Sequence, residues 1–136
     1  MSDVLERMEK DYDLDAADLA RMLSAGRIAI GVALLVAPGR IMRAWTGDES
    51  ASPGMKHAAR SMGARDVALG VGTLVALDRS RSVSRWLEAQ AFSDGADCLG
   101  TLIAFKHMPR FKRWAYLILE GGAAFLGLQL AAALED

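Results

Sequence analysis

The stretch 61-SMGARDVALGVGTLVAL-77 decides how this chain is read. From Val67 to Leu77 every residue is aliphatic, glycine or threonine, yet Arg65 and Asp66 stand side by side directly ahead of that run. Such a segment is either the wet end of a soluble helix or a membrane span with two charges at its middle. Water solvates the pair in the first case. In the second each charge needs a partner on another helix, because an ionised side chain facing lipid costs at least ~2.5 kcal/mol.

Three more apolar segments flank this one. Helices are expected over residues 19–38, 57–77, 84–106 and 112–134, joined by the connectors PGRIMRAWTGDESASPG, DRSRSVS and KHMPRFKR. No alternating pattern competes for a strand. Strictly uncharged runs are short in the first three helices: Ile28–Gly39, Val67–Leu77 and Cys98–Phe105 fall well below the ~20 residues of a clean span. Only WAYLILEGGAAFLGLQLAAAL, residues 114–134, has full length, and it holds Glu120.

Two features outweigh run length. Trp45, Trp86 and Trp114 all fall at or just beyond expected helix ends, where an aromatic belt sits at a membrane interface. Small residues also recur every fourth position: Ala25, Ala29, Ala33 and Ala37 along the first helix, and Ala123, Gly127 and Ala131 along the fourth. That spacing lets backbones approach closely, which drives helix association in lipid. Interior glycines such as Gly31, Gly70 and Gly72 each cost ~1 kcal/mol relative to alanine in a soluble helix. The expected fold is therefore an all-α, integral membrane four-helix bundle with up-down topology in the cell membrane.

The charges then acquire positions. Extending each span to about 20 residues puts its midpoint near residue 28, 67, 95 or 123. Arg27, Arg65, Asp66, Asp94, Asp97 and Glu120 all lie within about one turn of that level, so they are expected to face one another. Gln90, Asp94, Asp97 and Thr101 form one polar stripe on the third helix at i, i+4, i+7 and i+11. A weak internal repeat points the same way. RIAIGVALLVAPGR (27–40) and DVALGVGTLVALDR (66–79) match in register, which makes Arg27, Asp66 and Asp94 equivalent in their helices. Neighbours in a helix point about 100° apart, so Asp66 is expected to pair with Arg27, and Arg65 with Asp94 or Asp97. Two arginines against four carboxylates leave two negative charges in excess, to be met by protons, a cation or a ligand.

Outside the helices, residues 1–18 carry seven acidic side chains against Arg7 and Lys10. They lack the positive, apolar and small-residue regions of a secretory signal. Val4, Leu5, Met8 and Tyr12 recur at helical spacing, so a short amphipathic surface helix packed on protein is expected there. Net charge of −1 provides no electrostatic basis for nucleic-acid binding. Cys98 is alone and is read as a small buried thiol; it has no disulfide partner and no zinc-ligand spacing. His57 and His107 lie in or beside basic connectors, and no nucleotide, hydrolase or metalloprotease motif is present, so no catalytic residue, metal or cofactor is assigned.

The segments LARMLSAGRIAIGVALLVAPGRIMRAWTG, ASPGMKHAARSMGARDVALGVGTLVAL and WLEAQAFSDGADCLGTLIAFKH together resemble a group of small, four-span bacterial membrane proteins, similar in size and architecture to the DoxX-like proteins. The likeness covers residues 19–134. Its most specific elements are the Gly-Arg before the first apolar run, the Gly-Ala-Arg-Asp of the second helix and the Asp-x-x-Asp of the third. The resemblance implies a four-helix integral membrane fold, and DoxX-like relatives are associated with quinone-linked redox complexes, although no cofactor motif here carries that over. The expected role is a non-enzymatic accessory or scaffold subunit, partnered by lipid, a second copy or another membrane protein. The alternatives are a proton- or cation-coupled module, or a site for a lipophilic small molecule, using the same carboxylates.

Overall fold

The computed structural model describes Val4 and residues 15–47 and 52–135. The amphipathic helix expected within residues 1–18, with Leu5, Met8 and Tyr12 on its apolar face, lies outside the described residues except for Val4 and Asp15 onward. Among the described residues the chain forms five helices and no strand: α1 (Ala16–Val36), α2 (Pro38–Thr46), α3 (Pro53–Arg79), α4 (Val83–Ala104) and α5 (Arg110–Ala133), with a 3-10 turn at Phe105–His107.

Three helix starts come earlier than the apolar runs suggest, two of them at a side-chain cap. Asp15 caps α1 by accepting a hydrogen bond from the Asp18 amide at 2.7 Å, so the helix begins ahead of residue 19. Ser52 accepts from the Met55 amide at 3.1 Å, and Pro53 occupies the first turn of α3. Ser-Pro-Gly there is a helix start, because a proline in the first turn sacrifices no hydrogen bond. α5 likewise opens at Arg110, directly after Pro109.

The first connector needs a larger correction. Pro38-Gly39 stops α1 by keeping Ala37 out of helical geometry (φ −130°, ψ 52°), yet the same proline opens α2. Residues 38–46 are a short helix, with Arg40 exposed and Ile41, Met42 and Trp45 half-buried or turned toward the bundle. Gly47 ends it in the left-handed conformation, φ 77°.

The four long helices run up and down. Gly31 lies against Gly63 and Ile28 against Gly70, so α1 and α3 are antiparallel. Gln90 meets Thr73 while Asp97 meets Arg65, which makes α3 and α4 antiparallel, and Gly127 against Ala91 with Glu120 against Thr101 does the same for α4 and α5. α1 packs along α3 and α4 along α5, with α1 meeting α5 over a short stretch only. The α3–α4 connection takes three residues, two of them, Ser80 and Ser82, at positive φ.

The small-residue edges behave differently from each other. On α5, Gly127 and Ala131 are buried and Ala123 is half-buried. On α1 the expected edge is turned outward: Ala25 and Ala29 are exposed, and Ala33 and Ala37 only half-buried. The buried stripe is instead Ser24, Arg27, Gly31 and Leu34. Glycine decides this rotation, because an added Cβ at Gly31 would sit 2.7 Å from the Gly63 carbonyl oxygen. Alanine cannot make that approach.

An apolar core of Leu19, Ala20, Ala76, Leu77, Val83, Leu87, Leu130 and Ala131 fills the end of the bundle where α1 starts and α5 finishes. Toward the middle the interior turns polar. Ser24, Arg27, Asp66, Thr73, Gln90, Ser93, Asp94 and Thr101 are all buried, whereas Phe92, Ile103, Phe111 and Val36 are more than three-quarters exposed.

Candidate functional site: the interior charge network and its cavity

Four helices bring the interior polar side chains together. Arg27 enters from α1 and spreads its guanidinium over three residues. Its Nε donates to Gln90 Oε1 at 3.2 Å, one terminal nitrogen donates to Asp66 at 3.0 Å, and the other donates to Asp94. Arg27, Asp66 and Asp94 are each less than a tenth exposed. These are the three residues that the internal repeat aligned. Arg65 on α3 grips both Asp97 oxygens, at 3.1 and 2.7 Å, in the two-pronged geometry that suits a planar guanidinium.

Arg65 also touches its own neighbour. Its Nε and one terminal nitrogen each lie 3.2 Å from Asp66 Oδ1, although consecutive helix residues point about 100° apart. The long arginine stem curls across the helix surface and closes that angle. Asp66 therefore accepts from both arginines, and the six residues Arg27, Arg65, Asp66, Gln90, Asp94 and Asp97 form one connected network.

Gln90 extends it toward the apolar core. Fully buried, its amide nitrogen donates to Ser24 Oγ at 3.1 Å, to the Leu69 carbonyl at 3.4 Å and to Thr73 Oγ1. Ser24 and Thr73 escaped the sequence reading, but each had a signal: they lie three residues before Arg27 and seven after Asp66, on the same helix faces.

On the other side of the network Thr101 Oγ1 donates to Glu120 Oε2 at 2.8 Å. Glu120 forms no ion pair among the described residues, the only one of the four interior carboxylates of which this is true. Asp97, Thr101 and Glu120 lie on the wall of a cavity of about 270 Å³. The rest of that wall includes Met42, Trp45 and Thr46 of α2, Met62 of α3 and Met108. Met42, Trp45 and Met108 lay in segments read as connectors, so no periodicity could place them. Trp45 is held in position by stacking on Tyr116 of α5, ring centroids 5.0 Å apart.

The remaining tryptophans sit at helix starts. The Trp86 ring lies directly over Gly72, where no Cβ would fit. Trp114 makes an edge-to-face contact with Phe105, whose other contact is the Arg113 guanidinium 4.4 Å from its ring centre. Cys98, expected to be buried, is half-buried on α4 opposite Gly121. His57 and His107 are exposed, and among the described residues no three His, Cys, Asp or Glu side chains are grouped to hold a metal ion. Comparison of the chain with protein-family models, with curated proteins and with solved structures finds no match, so its functional reading rests on this geometry.

Proposed function

We propose that this chain is a multi-pass membrane protein whose four long helices all cross the bilayer, acting as a non-enzymatic accessory or scaffold subunit with the Arg27 network as its internal lock. One observation carries the reading: the middle of the bundle is polar within and apolar without. A soluble bundle would cover Phe92, Ile103, Phe111 and Ile118 and leave Arg27, Asp66 and Asp94 wet, the reverse of what is found.

Two described helices, Ala16–Val36 and Arg110–Ala133, are long and apolar enough to cross a membrane. An apolar helix can also be the core of a soluble protein, but such a helix is mostly buried. Here 33% of the most apolar stretch of α1 and 17% of that of α5 is buried. α3 and α4 have 27 and 22 residues, sufficient for the ~30 Å hydrocarbon layer at ~1.5 Å per residue. Their mid-helix charges, Arg65, Asp66, Asp94 and Asp97, are engaged inside the bundle, which removes the lipid-facing cost.

The scaffold role draws on two features. The charged groups of the network mostly satisfy one another. The outward alanine edge of α1, Ala25 and Ala29 with Ile30 and Val32 beside it, suits close packing of another span, from a second copy or a different membrane protein. Connectors 38–54 and 106–113 with the adjoining helix starts hold eight basic residues against six at the opposite end. By the positive-inside rule this narrow excess favours the cytoplasm for those connectors, with both termini on the opposite side.

In a cell expressing the chain, the protein is expected to remain in the membrane pellet after alkaline carbonate washing and to need detergent for extraction. Single cysteines placed at Lys56 and His107, in a Cys98→Ser background, should react with an impermeant thiol reagent from one side and a cysteine at Arg81 from the other. Recovery as a monodisperse protein without detergent overturns the membrane reading. Labelling of all three from the same side overturns the four-span topology.

A further inference from the structure

The cavity between α2 and the network has a chemical bias that points to one class of ligand. Its body is soft and apolar: three methionine side chains, Met42, Met62 and Met108, face it with the Trp45 ring. Thioethers and aromatic faces are polarizable surfaces that favour organic cations. Its polar wall is made of Thr46, Asp97, Thr101 and Glu120, and both threonine hydroxyl protons are already committed. Thr46 Oγ1 donates to the Met42 carbonyl at 2.9 Å and Thr101 Oγ1 to Glu120 at 2.8 Å, while ionised carboxylates only accept. A ligand entering the cavity therefore meets the carboxylate oxygens as acceptors, with the Trp45 indole N–H as a donor on the same wall.

Charge adds direction. Both oxygens of Asp97 are occupied by Arg65. Glu120 has Thr101 on one oxygen and no further hydrogen bond or ion pair among the described residues. It is half-buried against an apolar cavity with two negative charges in excess in the surrounding cluster, counting two arginines and four carboxylates. We propose that this cavity binds an organic cation, a protonated amine on an apolar body, with the ammonium against Glu120 and the body among the methionines and Trp45.

The same features argue against other ligands. A carboxylate or phosphate brings negative charge to a wall that holds Asp97 and Glu120. A hard metal ion needs several oxygens at once, and Glu120 alone is unengaged by a cation. The volume, about 270 Å³, lies near the lower end of the roughly 300–1,000 Å³ typical of small-molecule sites, so the ligand is small.

This inference goes beyond the membrane reading and does not depend on it, since the cavity is defined by the fold whether lipid or water surrounds it. The test is calorimetric titration of the whole chain, in detergent micelles or in buffer according to how the protein is recovered, with 4-phenylbutylamine at pH 7 and its neutral counterpart 4-phenylbutanol. Empty micelles give the partitioning background. The amine should bind saturably, about tenfold or more tighter than the alcohol. Glu120→Gln keeps the shape and an acceptor for Thr101, and should erase the amine's advantage while leaving the alcohol within about twofold. Gly100→Leu should abolish binding of both, because Gly100 lines the cavity and a Cβ there meets nothing within 4 Å, so the added side chain fills the space without forcing the backbone. Equal affinity for amine and alcohol overturns the proposal, as does an unchanged titration for either variant. Stoichiometric displacement of the amine by silver(I), insensitive to Glu120→Gln, would reassign the cavity to a soft metal held by methionine sulfur.

Discussion

Replacing Arg27 by methionine is expected to cost about 3–5 kcal/mol of stability, enough to leave little folded protein after extraction. The substitution keeps the volume and removes the donor that serves Gln90, Asp66 and Asp94 together. Among the described residues Asp94 then has no cation, Asp66 keeps Arg65 alone, and the Gln90 oxygen loses its Arg27 donor. Arg27→Lys should rescue poorly. A lysine ammonium is a compact point charge, whereas the three acceptors are spaced to meet the three sides of a planar guanidinium.

Neutralising the network as a whole separates pairing from burial. The combined Arg27→Met, Asp66→Asn, Asp94→Asn chain should be more stable than Arg27→Met alone, since the carboxylates that Arg27 had compensated are neutralised with it. The exchange of Arg27→Asp with Asp66→Arg is a sharper discriminator. A simple two-residue pair would regain part of the loss on exchange. In this network a carboxylate at position 27 would face Asp94 and a guanidinium at 66 would face Arg65, so the exchange should recover nothing. Thermal unfolding followed by fluorescence-detected gel filtration measures all of these. Wild-type stability for Arg27→Lys, or full recovery on exchange, would show that the shared three-way contact is not what holds the bundle.

The second large effect belongs to the glycine contact between α1 and α3. A Cβ on Gly63 would lie 2.6 Å from the Gly31 carbonyl oxygen and 2.9 Å from Leu34 Cβ, and one on Gly31 would lie 2.7 Å from the Gly63 carbonyl oxygen. Both obstacles include backbone, which cannot rotate out of the way. Gly63→Ala should cost about 1–3 kcal/mol through overpacking, and Gly63→Val more. The change also propagates: moving α1 from α3 withdraws Arg27 from Asp66, so Gly63→Val and Arg27→Met should be less than additive in combination. Gly95, Gly100 and Gly122 provide the control. A Cβ at any of them meets nothing within 4 Å, so alanine there should be neutral or slightly stabilising through its helix propensity. Equal sensitivity at Gly63 and Gly122 would mean that the close approach of α1 and α3 is not required.

Much of this arrangement was legible from the chain, and the part that was not has a consistent character. Helix content, the four long segments and the stop at Pro38 follow from local composition and periodicity, which depend on residues a few positions apart. The inward placement of Arg27, Asp66 and Asp94 was legible too, because their apolar surroundings leave a charge nowhere else to go. The starts of α1 and α3 were missed although Asp15 and Ser52 announced them, and α2 was taken for a loop because Pro-Gly was weighed only as a stop.

By itself, then, the sequence determined that this is a helical protein with its mid-helix charges turned to the interior, since both properties are set by each helix alone. Only the tertiary structure decided which charges meet. Partner choice depends on how far each helix is rotated and slid against its neighbour. Here Gly31 and Gly63 set that offset for α1 and α3, turning Ala25 and Ala29 outward and Ser24 and Arg27 inward. That offset brings Arg27 to Asp66, while the packing of α4 brings Gln90 and Asp94 to Arg27 and Thr101 to Glu120, beside an open cavity that α2 also lines. A periodic pattern specifies which face of a helix is special, but carries no information about the height and angle at which another face will meet it.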